Sequence, residues 1–248
     1  MPPTTTLTSG SPPRRWTRHA SPARFEQLAA WLAPVCWTVA VLAGLAGLYV
    51  GFFVAPTDAT QGEAYRILFI HVPAAWLSMV CYLAIALWAV VGWVWKLRMA
   101  SRLARALAPS GALYTALALW TGALWGQPTW GTWWVWDARL TSELILLLLY
   151  LGYIALVESI DDDRRAAQAG ALLAMVGALN VPIIYFSVRW WNTLHQSASI
   201  SLSAAPTMAR TMLLALTLTT IAFWAHAIAA ALTRARALNF EQELAGSE

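Results

Sequence analysis

The stretch WGTWWVWDARLTSE, residues 130–143, holds four tryptophans within seven residues, and Trp125 stands just upstream. His71 precedes it in FIHVPAAW, and His195 follows it in RWWNTLHQS, beside Trp190 and Trp191. Imidazole is a good axial ligand for haem iron. Indole offers a large, flat, apolar surface. Two imidazoles on opposite faces could hold a porphyrin while indoles contact its edge and faces. Arg139 or Arg189 could pair with the propionates. Taken singly, these residues have plainer readings. A tryptophan-rich loop can be an anchor at a lipid interface, and each histidine can be a helix cap. Their joint occurrence favours the ring-binding reading.

The elements that position them are set by composition. Of 248 residues, 59% are hydrophobic and 11% charged, and mean hydropathy is +0.57. A soluble domain carries about 25% charged residues, so the chain reads as an integral membrane protein. Indoles gather at membrane interfaces, but a belt spreads them among all helix ends. Trp125, Trp130, Trp133, Trp134 and Trp136 are too concentrated for that. Cys36 and Cys81 both lie in apolar runs, so no disulfide framework is expected.

A helix needs about 20 apolar residues to cross hydrocarbon. Six segments meet or approach this: Trp31–Val54, Val72–Trp95, Leu107–Trp125, Leu140–Val157, Ala166–Val188 and Met208–Leu232. An all-α bundle of six transmembrane helices follows, because lipid cannot satisfy open backbone groups. Residues 1–29 form a polar tail, 30–235 the membrane domain and 236–248 a second tail. Arg14-Arg15 resembles an export signal, but the next apolar run has spanning length and no cleavage signature, so it reads as an uncleaved first helix. Twelve of the 16 Lys and Arg residues fall on the side of the termini and four (Arg66, Arg139, Arg189, Arg210) on the other. That asymmetry places both termini in the cytoplasm. Net charge +4 then reflects topology and requires no nucleic acid.

Three loops face outward, near 55–71, 126–139 and 189–207, and the tryptophan stretch is the middle one. If it is helical, Trp130, Trp133, Trp134 and Asp137 fall at i, i+3, i+4 and i+7, one face of an interfacial amphipathic helix. Asp137 and Arg139 are close enough to pair. Glu143 could cap the fourth span, pair with Arg139 or help to dock a partner. The loop ESIDDDRRAAQ reads as a solvated connection with capping aspartates. His19 sits in the tail, and His226 is a lone intramembrane histidine that can hydrogen-bond within the bundle.

The stretch WGTWWVWDARLTSELILLLLY closely resembles the WWD signature of haem-handling membrane proteins of cytochrome c biogenesis. The chain is identified as a member of the small six-span branch, the haem exporter protein C (CcmC) family. Larger relatives of the CcmF and CcsA types have more spans and further intramembrane histidines. The resemblance covers nearly the whole chain and implies that His71 and His195 are the two axial ligands of haem b. It matches Trp125, Gly126, Trp130, Gly131, Trp133, Trp134, Trp136 and Asp137 to the haem-contacting stretch. The basic tail around Arg14–Arg24 is longer than is typical of the family.

The resemblance also implies a function. Such a protein presents haem on the periplasmic face of the bacterial cytoplasmic, or inner, membrane. A CcmE-type haem chaperone accepts it covalently, and a CcmA/CcmB-type ABC transporter with a CcmD-type small subunit releases the loaded chaperone. No classical enzymatic activity is implied beyond promoting that attachment. Competing readings are a haem-translocating permease subunit, a solute transporter and a non-haem scaffold subunit. A transporter would carry paired intramembrane charges or broken helices, and only Asn180 with Pro182 hints at a break.

Overall fold

The computed structural model describes residues 22–195 and 208–245. Seven α-helices follow one another there: α1 (Pro22–Tyr49), α2 (Leu68–Trp95), α3 (Arg98–Trp130), α4 (Ala138–Glu158), α5 (Asp163–Ala178), α6 (Asn180–Trp190) and α7 (Arg210–Ala245). A π-helical turn, Val50–Val54, extends α1, and a 3-10 turn, Glu63–Ile67, leads into α2. With α5 and α6 forming one broken rod, these make the six expected crossings. Five rods are long and apolar enough to cross a membrane. The exception, α3, has 33 residues but is less apolar, because small and hydroxyl residues line its packed face.

Small residues let backbones approach closely in lipid. A Cβ on Gly111 of α3 would sit 2.2 Å from the Tyr150 ring of α4, and one on Gly177 of α5 would sit 2.1 Å from the Tyr82 hydroxyl of α2. The two tyrosine rings meet edge-on at 5.0 Å in the core. Tyr150 donates to the Ser78 carbonyl at 2.6 Å. The outside of the bundle is apolar: Trp31, Leu42, Leu45, Leu87 and Val176 are all exposed. A surface of this kind suits lipid.

The break between α5 and α6 has a local cause. Pro182 cannot donate to the Ala178 carbonyl, and its ring crowds that group. Buried Asn180 turns inward and donates from Nδ2 to the Ser142 carbonyl of α4 at 2.8 Å.

Three expectations are corrected. First, His71 is not in a loop. The 3-10 turn passes directly into α2 at Leu68, so His71 lies in its first turn. Second, residues 131–137 are not helical. Gly131 takes φ 75°, a left-handed conformation that suits glycine, and its N–H bonds Gln127 to close α3. Thr132 then bonds both the carbonyl and the N–H of Trp134. Asp137 caps α4, accepting from Leu140 N–H at 2.8 Å. Third, Arg139 does not bridge to Asp137 or to Glu143. Its Nη1 donates to the Ile184 carbonyl at 3.0 Å, and Glu143 Oε1 bonds the Ser78 hydroxyl at 2.7 Å.

Candidate functional site

The site lies at the end of the bundle where α2, α3 and α4 meet the loop after α6. The first inter-helix loop is tied down there. Arg66 pairs with Glu63 and donates to the Gly51 carbonyl. Tyr65 donates to the Pro56 carbonyl at 2.7 Å, and Trp125 Nε1 donates to Gln61 at 2.7 Å. These bonds link the start of α2 to the end of α3.

His71 therefore faces α3. Its Nδ1 lies 3.1 Å from Thr121 Oγ1, and its ring meets Trp125 edge-on at 5.6 Å. His195 enters from the loop after α6 and packs on Trp130, with centroids 5.4 Å apart. The two imidazole centroids lie 6.5 Å apart and their planes differ by 35°. Both rings line one open cleft with Trp130, Trp133, Trp134 and Arg139.

Two imidazoles bonding one metal from opposite sides, at about 2 Å per bond, put their ring centres roughly 6 Å apart. The observed spacing matches. Among the described residues no group of three or more His, Cys, Asp or Glu side chains could hold a bare metal ion. Two imidazoles suit an iron whose other four positions a macrocycle already fills. His195 is held neutral, its pKa pushed down to about 4 by burial first and by the Arg139 charge second. A neutral ring keeps a lone pair for metal. Among the described residues its buried Nδ1 has no partner, and neither has the cleft-lining Trp134 Nε1. Such groups are costly unless something pairs with them.

The remaining expected residues divide. Gly126 lines the cleft, while Gly131 ends α3 outside it. Trp125 touches His71 without lining the cleft. Trp136 is 77% exposed and leans edge-on against Trp134 at 5.3 Å. Asp137 acts through its cap on α4. Arg189 is exposed at the end of α6 and does not line the cleft, so among the described residues Arg139 is the cation that lines it. Sequence reasoning missed Thr121, Gly122 and Gln61. Thr121 could have been found as the residue one turn before Trp125 on the same face of α3; Gln61 carries no local signal.

The heme exporter protein C family model matches residues 15–247. The chain belongs to that family. It is 49% identical over 180 residues to heme exporter protein C of Escherichia coli K12, covering 73% of this chain and 74% of the relative. It is 48% identical over 204 residues to heme exporter protein C of Bradyrhizobium diazoefficiens, covering 82% and 77%. A putative cytochrome c biosynthesis ccmC-like mitochondrial protein of Marchantia polymorpha is 44% identical over 178 residues, covering 72% of each chain. The matched region contains every residue of the cleft.

Proposed function

We propose that this chain binds haem b between His71 and His195 at the periplasmic face of the bacterial inner membrane and delivers it to a CcmE-type chaperone for cytochrome c biogenesis. The observation that carries this reading is the 6.5 Å approach of two imidazoles within one tryptophan-lined cleft. Family membership supports haem as the cargo. The grouping of 12 of the 16 Lys and Arg residues on the side of the termini supports a cytoplasmic location for both, which puts the cleft outside.

Each residue then has a task. His71 and His195 hold iron axially. Trp130, Trp133 and Trp134 grip the macrocycle, and Arg139 neutralises a propionate at the cleft wall. Asp137 holds the tryptophan loop by capping α4. The cleft is open, so one haem edge stays within reach of an acceptor. That arrangement suits transfer better than storage. A CcmA/CcmB-type transporter and a CcmD-type subunit complete the assembly in this reading.

The test is the absorbance spectrum and chaperone loading of His71→Ala and His195→Ala. Each is expected to lose the bis-histidine spectrum and to stop loading. A bis-histidine spectrum retained in both variants overturns the assignment.

A further inference from the structure

Thr121 of α3 is buried and meets His71 from below. Its hydroxyl has one proton. That proton is engaged by the Leu117 carbonyl, 2.6 Å away and one turn back on α3. What Thr121 offers His71 Nδ1, at 3.1 Å, is therefore a lone pair. An acceptor at Nδ1 requires that Nδ1 carry the hydrogen, which leaves the lone pair on Nε2. The seat is also shaped for the ring: a Cβ on Gly122 would come within 3.1 Å of His71 Cε1.

Resting on the reading of His71 as an axial ligand, we propose that Thr121 is a positioning residue for iron, fixing His71 in the Nδ1–H tautomer with Nε2 directed to the metal. Free histidine in water favours the opposite tautomer, whose Nε2 is blocked. The Thr121 acceptor removes that cost in advance and makes the ligating nitrogen more basic. Among the described residues His195 has no such partner at Nδ1, so within them the two ligands are supported unequally.

The test uses the full chain in detergent, loaded with haem, as Thr121→Val and Thr121→Ser. Two quantities are read: the rate of haem loss to excess apomyoglobin and the haem midpoint potential. Thr121→Val is expected to lose haem about tenfold faster, the lower end of the effect of such supporting groups. Its potential is expected to rise, because a less basic imidazole stabilises ferric iron less. Thr121→Ser is expected to restore both, which a purely steric role would not do. Should valine impair folding, Thr121→Cys serves instead: its weak sulfur acceptor is expected to shift the potential in the same direction by less. An unmoved potential in a folded Val or Cys variant, with His71→Ala having lost the bis-histidine spectrum, overturns the role of Thr121 and leaves the axial reading standing. A bis-histidine spectrum retained in His71→Ala overturns both.

Discussion

Around His226 of α7, the partners come from within the bundle. Tyr114 of α3 hydrogen-bonds its Nδ1 and also donates to the Phe223 carbonyl at 3.2 Å. The Trp37 ring of α1 meets it edge-on at 5.2 Å, and Trp37 Nε1 donates to Thr233. Around His71 and His195 the same residue types are arranged differently. The imidazoles stand 6.5 Å apart and both line an open cleft, the tryptophans line its wall, and among the described residues the buried His195 Nδ1 and Trp134 Nε1 have no partner. Both clusters are histidine with indole. The first makes its hydrogen bonds inside the bundle, at His226 Nδ1 and the Tyr114 hydroxyl, and serves packing. The second, among the described residues, leaves His195 Nδ1 and Trp134 Nε1 open, which stabilises the fold less and keeps ligating atoms available.

Acid is the bluntest way to break this contrast. Burial and Arg139 push His195 down to about 4 from an ordinary 6.5. Protons therefore compete with iron for His195 only near pH 4. Haem retention is expected to stay flat from pH 8 to about 5 and to collapse below about 4. The linkage for folding has a definite sign. Between 6.5 and about 4 the unfolded chain takes up a proton at His195 that the folded chain refuses, so this residue's contribution to stability is lost on acidification through that window. A midpoint for haem loss near 6.5 would show that His195 is open to water.

Tryptophan substitutions sharpen the contrast within the site itself. Trp133 and Trp134 line the cleft, whereas Trp136 leans on Trp134 from outside. An aromatic contact contributes about 0.5–1.5 kcal/mol beyond area burial. Replacing Trp133 and Trp134 together by alanine is expected to cost about 1–3 kcal/mol of haem binding, roughly 5- to 150-fold in affinity, by the same principle. The variant should still insert in the membrane. Trp136→Ala alone should change affinity by less than about threefold. Haem titration of both variants checks this, and equal losses would dissolve the distinction between wall and rim.

The bundle was legible because membrane spans are written in runs of apolar residues. Two of the three corrections came from local backbone chemistry. The spacing of Trp130, Trp133, Trp134 and Asp137 suggested a helix, but Gly131 and Asp137 are a helix stop and a helix start, and those terminal signals won. The same three tryptophans still reach one cleft, by way of a loop. His71 was expected ahead of a span beginning at Val72, yet the helix begins at Leu68. Thr121 and Gln61 stayed hidden for a different reason. Their partners, His71 and Trp125, lie 50 and 64 residues away in sequence. Gln61 carries no local signal, and Thr121 shows only its place one turn before Trp125; both contacts exist only once the helices pack.

His226 supplies the smallest effect and the cleanest control. In His226→Leu, Tyr114 loses one partner but keeps the Phe223 carbonyl, so no buried donor is stranded. The cost should stay near the ordinary net value of one hydrogen bond, about 1 kcal/mol. It should appear as a small drop in the unfolding midpoint in detergent. Haem occupancy and the bis-histidine spectrum should not move, because no atom of His226 lines the cleft. If His226→Leu lowers haem occupancy as far as His71→Ala does, the two clusters are one functional unit, and the separation between a closed packing cluster and an open binding cluster fails.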